Sequence, residues 1–194
     1  MAVRRYFLGA NTARGFVSLY EEFCRPESGN FLYVLKGGPG CGKSSFMKKL
    51  GRAAEDAGLD VEYVLCSADP DSLDAVLIPG WHVGYADGTS PHVLDVPLPA
   101  ASGAYLDLGQ FYDTAALRPR RTELAALNAR CRAEYQRAYC ALRAAKELHD
   151  ALEAIYNPHV NFDGVYALAS AHILRHKAEN RTDCACNAAG NGVE

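Results

Sequence analysis

The chain has 194 residues, 49% of them hydrophobic and 22% charged, and Lys+Arg 20 against Asp+Glu 23 leaves a net charge of −3. That length can bury a core without disulfide or metal staples, and the balance excludes collagen, wholesale disorder and a small disulfide scaffold. With a pI near 6.1 no global positive field draws nucleic acid or an anionic membrane surface, so neither is an expected partner.

In chain order, the opening segment carries Arg4 and Arg5 but no apolar run behind them, unlike a secretory leader. Tyr6, Phe7 and Leu8 read as a short strand. Asn11 and Thr12 can cap a helix with Phe16, Leu19, Tyr20 and Phe23 on one face. A turn at 26–30 leads to the continuous apolar run Phe31, Leu32, Tyr33, Val34 and Leu35, closed by Gly37 and Gly38, which is how a buried parallel strand reads. A helix follows from about Lys43 to Ala57, ended by Gly58. Residues 61–66 form a second strand, and Asp69 with Pro70 signals a helix start, Asp as cap and Pro at the first helical position. Residues 81–86 form a weaker strand stopped by Asp87 and Gly88. Strands separated by helical stretches imply an α/β fold with a parallel sheet, its core at residues 1–115.

Between Thr122 and Asn157 there is neither Gly nor Pro, and Leu124, Leu127, Cys131, Ala138, Leu142, Ala145, Leu148, Leu152 and Ile155 recur every three or four residues. This predicts one helix of about 35 residues, roughly 50 Å long. Pro158 breaks it, and a second helix is expected from about Asp163 to Ala178 with Val165, Leu168, Ala169 and Ile173 on one side. The hairpin at 116–178 belongs to the same domain; it either covers its own apolar stripe or serves as a partner-binding arm. Residues 179–194 have no period and read as a disordered tail. No run approaches the ~18 apolar residues of a membrane span. Seven cysteines without framework spacing fit a reducing cytoplasm.

The chemistry lies in Gly37, Gly38, Pro39, Gly40, Cys41, Gly42, Lys43 and Ser44, a full match to G-x-x-x-x-G-K-[ST] between a strand and a helix. The glycines let successive N–H groups face one point, and the helix start adds its unpaired amides and dipole. Lys43 can reach the β- and γ-phosphates of a nucleoside triphosphate, and Ser44 can offer its hydroxyl to Mg²⁺. Ser45 closes the binding segment. In a parallel sheet the carboxyl ends of the strands are where ligands bind. There Asp87 is a candidate Mg²⁺ support or the head of a plain Asp-Gly turn, and Asp69 and Asp71 are helix caps or catalytic carboxylates. Gly88 occupies the position where many P-loop ATPases carry a water-orienting Glu, which leaves His92 and Asp95 as substitutes. Arg118, Arg120 and Arg121 are a solvated patch or a source of transition-state charge. Arg14 and Arg25 flank the first predicted helix and carry no decisive spacing. His172 and His176, four apart, with Cys184 and Cys186, read as an incidental polar face and tail or as a zinc site.

Taken together, residues 5–16, the loop at 35–45, the segment from Ser67 to Asp74, Ile78 with Pro79, and the segment from Asp87 to His92 resemble an uncharacterised bacterial family of tandem P-loop ATPases. The resemblance covers roughly residues 1–170. It implies ATP binding through residues 37–45 and a site role for the 87–92 loop. This chain matches a single P-loop unit, so self-association or a second unit is expected to complete the sheet or the site. The reading is an ATP-binding protein with slow Mg²⁺-dependent hydrolysis that switches the helical arm, with Lys43, Asp87 and His92 as the catalytic set and Ser44 and Asp87 on the metal. No guanine-reading Asn/Thr-Lys-x-Asp stretch occurs, which favours ATP. A small-molecule or nucleotide kinase and a non-hydrolysing nucleotide sensor remain alternatives.

Overall fold

The computed structural model describes residues 1–90 and 94–188, with side chains as far as His176. Two compact units divide the chain, Met1–Lys146 and Glu147–Glu194. The first is an α/β unit whose strands are β1 (Val3–Tyr6), β2 (Gly9–Thr12), β3 (Gly15–Ser18), β4 (Phe31–Lys36), β5 (Val61–Leu65), β6 (Leu73–Ile78), β7 (Val83–Asp87) and β8 (Gly103–Asp107). Its helices are α1 (Lys43–Asp56), the short α2 (Thr114–Leu117) and the beginning of α3 (Arg121–Tyr156). The second unit holds the end of α3 and α4 (Phe162–Ala188).

The main sheet has six strands in the order β1-β5-β6-β7-β4-β8. It is mixed, which corrects the expectation of a parallel sheet. β5 and β6 pair antiparallel, as do β6 and β7, whereas β1–β5, β4–β7 and β4–β8 are parallel. So β1, β5, β7, β4 and β8 point one way, and β6 runs against them.

The reversal comes from a turn that the sequence presents as a helix start. Asp69 Oδ2 accepts from Ser72 Oγ at 2.6 Å, Oδ1 accepts from Asp71 N at 3.3 Å, and Ser72 N donates to Asp69 O at 2.8 Å. Asp-Pro-Asp-Ser serves a tight turn as well as a helix cap. The aliphatic run after it pairs directly with β5, so no crossover helix forms.

A second correction concerns residues 9–23. The predicted helix is instead the antiparallel hairpin β2–β3 followed by a single 3₁₀ turn at Tyr20–Glu22. Thr12 Oγ1 donates to Gly15 O at 2.8 Å and Gly15 takes φ +103°, which closes the hairpin. The aromatic residues still reach the core, Tyr20 and Phe23 buried and Phe16 packed against them.

Alternation along the strands divides the core into two layers. Leu35, Tyr63, Val76 and Ile78 meet Met47 and Ala54 of α1 on one face. Val34, Val64, Ala75 and Ala86 meet Tyr20, Phe23, Leu94 and Val96 on the other. The helix lies close to the sheet at Gly51, where an added Cβ would fall 2.3 Å from the Tyr63 hydroxyl and 2.4–2.6 Å from its ring. Gly51→Ala is therefore expected to destabilise the fold by about 1–3 kcal/mol through overpacking. A fall in thermal midpoint checks this; an unchanged midpoint would show that α1 can shift freely.

α3 follows the predicted 122–157 closely, and none of its residues is buried. Leu127, Leu148 and Ile155 are 50%, 75% and 67% exposed. A 3₁₀ turn at Asn157–His159 ends the helix at Pro158. α4 continues past the expected end at Ala178 because no Gly or Pro interrupts it between Val165 and Ala188. Among the described residues no helix is long and apolar enough to cross a membrane.

Candidate functional site

β4 delivers the chain at Lys36 to the glycine loop, and the loop delivers it to α1. Gly37, Gly40 and Gly42 take φ of +143°, +77° and +90°, a region that a Cβ penalises. Gly42 is the N-cap of α1. Among the described residues the amides of Gly40, Gly42, Lys43 and Ser44 have no protein acceptor, as the first turn of a helix requires. They border a cleft of about 350 Å³ lined by residues 39–45, residues 72–74 and Asp87. Unpaired amides converging at a helix start favour an anion.

Lys43 is 8% exposed. Its ammonium folds back over the loop, donating to Gly37 O at 2.6 Å and Gly38 O at 3.1 Å. It also lies 3.6 Å from Asp87 Oδ2. Asp87 ends β7, in register with Leu35 of β4, so the carboxylate sits beside the loop. Its Oδ1 accepts from Thr89 N at 2.8 Å and Thr89 Oγ1 at 2.5 Å. One oxygen of Asp87 thus caps the Asp-Gly turn, and the other lies toward Lys43.

Ser44 Oγ accepts from Leu73 N at 2.9 Å. The reversal of β6 explains that contact, because it brings the strand's first residues to the edge where its neighbours end. Outside the loop, the segment after β8 acts as a buttress. Tyr112 OH donates to Pro39 O at 2.7 Å, and a Cβ on Gly38 would lie 3.1 Å from that hydroxyl.

Other candidates fall elsewhere. His92 lies outside the described residues. Asp95 does not line the cleft; it pairs with Lys36 at 3.4 Å and accepts from Tyr105 OH at 3.3 Å. Asp69 is committed to its turn, and Asp71 gives its carbonyl to Lys48 Nζ. Arg120 grips Glu123 through two bonds of 2.8 Å, so it faces its own helix start. Arg25 pairs with Glu22. His172 meets Arg175 at 2.8 Å, the side chains of Cys184 and Cys186 lie outside the described set, and among the described residues no group of three or more His, Cys, Asp or Glu could hold a metal ion.

The geometry adds residues that the sequence reading gave no role. Asp74, the second residue of β6, lines the cleft and accepts from Tyr20 OH at 2.7 Å. The signal available was an acid at the start of an aliphatic run, five residues past the turn carboxylate Asp69. A larger cleft of about 500 Å³ near Tyr6, Cys24, Arg25 and Glu62 shares no residue with the loop. Its central carboxylate, Glu62, is already taken by Arg4 and Tyr6, and burial, then the Glu62 charge, pushes the Cys24 thiol up to about 12. The glycine-loop cleft is smaller but combines unpaired amides with Lys43, Ser44 and Asp87. No protein family, curated protein or solved structure matches the chain.

Proposed function

We propose that the chain is a P-loop protein that binds ATP and hydrolyses it slowly with Mg²⁺, coupling nucleotide state to the helical arm. One observation carries this reading: a nearly buried lysine is held between the carbonyls of its own glycine loop and the Asp87 carboxylate. The carbonyls and Asp87 occupy the ammonium much as phosphate oxygens would. On binding, Lys43 exchanges them for the β- and γ-phosphates, and the unpaired amides of Gly40 and Gly42 cradle the β-phosphate. Ser44 Oγ and Asp87 offer oxygen donors along one wall of the cleft, a set that suits a hard cation. Mg²⁺ held there would neutralise charge on the phosphate oxygens. Thermal unfolding with and without Mg-ATP tests binding, since ligand at 100 Kd adds about 2.7 kcal/mol. A melting curve that saturating Mg-ATP does not move would end this reading.

The proposed coupling has a path within the first unit. Ser67, at the head of the turn that leads to Leu73, accepts from Asn11 Nδ2 at 3.4 Å, and Asn11 Oδ1 accepts from Tyr139 OH of α3 at 2.9 Å. Tyr139→Phe is expected to leave ATP affinity within about twofold, since it removes one partly buried bond worth ~1 kcal/mol that lies outside the cleft. It should abolish ATP-dependent protection of α3 amides in hydrogen exchange. Protection equal to wild type would remove this path.

A second reading, a non-hydrolysing sensor that displays a binding surface, draws on the uncovered apolar positions of α3. The same positions suit self-association or a second phosphate-loop unit. Tight Mg-ATP binding with no phosphate release selects the sensor.

A further inference from the structure

We infer that Asp74 is the carboxylate that orients the attacking water at the γ-phosphate, held in place by Tyr20; this rests on the nucleotide reading above. Val64 pairs with Ala75 whereas Leu65 pairs with Leu73, so Asp74 is the extra residue of a β-bulge. Bulges re-aim a side chain and recur beside active sites. Here the bulge breaks the alternation of β6, leaving Leu73 on the α1 face and Ala75 on the opposite one.

Asp74 is 3% exposed and Tyr20 2%, and their 2.7 Å bond ties the 3₁₀ turn at Tyr20–Glu22 to the cleft wall. Burying a carboxylate costs free energy that an apolar residue would not, and this one sits where the cleft needs a polar group. Burial first, then the hydrogen bond and charge of Asp74, hold the Tyr20 phenol protonated far above its ordinary range, so it remains a donor. The Ala75–Ala86 pairing puts Asp74 one residue further along, level with Asp87. Gly88, which follows Asp87, has no side chain to hold water. A carboxylate on the adjacent strand fills that role.

In the step so assigned, the water oxygen bonds to the γ-phosphorus as the bond from phosphorus to the β–γ bridging oxygen breaks. The electron pair of that bond leaves with ADP. The water proton passes to Asp74 and from there to the released phosphate or to solvent.

Phosphate release and Mg-ATP affinity, measured in parallel on the full chain, test the assignment. Asp74→Asn keeps an acceptor for Tyr20 and should hold Kd within about threefold, while kcat falls ~100-fold, the lower range for losing a positioned base. Tyr20→Phe should lower kcat ~10-fold at unchanged Kd, as loss of positioning does. If Asp74→Asn unfolds early, Tyr20→Phe decides alone: a lower kcat at constant Kd supports the assignment and an unchanged kcat overturns it. A kcat for folded Asp74→Asn within threefold of wild type overturns it, as does a wild type that binds Mg-ATP and releases no phosphate. A wild type that fails to bind Mg-ATP overturns the nucleotide reading itself.

Discussion

Lys43→Ala is expected to weaken Mg-ATP binding about 100-fold while the ligand-free protein keeps its fold. The ammonium lies against the loop, 2.6 Å from Gly37 O and 3.6 Å from Asp87. Charge-assisted bonds to phosphate contribute about 1.5–3 kcal/mol each, and every 1.4 kcal/mol is tenfold in affinity. The fold is insulated because Gly37 and Gly38, whose carbonyls Lys43 now satisfies, are only half-buried, so water can replace the ammonium there. The two core layers contain no part of that cleft except Leu73. Thermal unfolding of both proteins with and without Mg-ATP separates the effects: wild type should gain stability with ligand and the variant should gain almost none. Equal ligand-induced gains would show that the lysine does not hold phosphate.

Lys43 was visible in the sequence because everything that places it is local. The apolar run of β4, the glycines and the first turn of α1 occupy consecutive residues, and each follows its own propensity. β5, β7 and α3 were legible for the same reason, as continuous apolar runs or a 3.6-residue period. The hairpin at 9–18 was not, because Phe16, Leu19, Tyr20 and Phe23 are spaced three and four apart and imitate one face of a helix. Period alone cannot tell that a two-stranded ribbon and a 3₁₀ turn will carry aromatics to the same core. β6 was hidden by a dipeptide that begins both turns and helices. β8 is short, lies at the sheet edge and has Tyr105 46% exposed, so it shows no apolar run. The missing half of the site follows from these misses. Tyr20 and Asp74 are 54 residues apart, and they meet only because β6 runs backwards and bulges at its start. Neither event leaves a local signature, so the loop could be read from the sequence and its opposing wall could not.

Asp87→Ala should raise the Mg²⁺ concentration for half-maximal activity by about tenfold or more, the range for loss of a charged oxygen partner. Affinity for metal-free ATP should stay within about threefold. The two effects diverge because Asp87 does two things in this structure. Oδ2 offsets the charge of Lys43 across 3.6 Å, and Oδ1 holds Thr89. Removing the carboxylate takes away the proposed metal donor, but it also takes a negative charge from the mouth of the proposed phosphate site, so the nucleotide alone should lose little. Asp87→Asn distinguishes charge from shape: the amide oxygen can still accept from Thr89 N and keep the turn, yet it is a poorer ligand for a hard cation. If metal support is the role of Asp87, Asn and Ala should shift the Mg²⁺ titration alike. If the residue matters for the turn, Asn should behave as wild type and only Ala should fail. A Mg²⁺ titration unchanged in both variants would take Asp87 out of the metal site, because the oxygen facing Lys43 would then serve only to neutralise it.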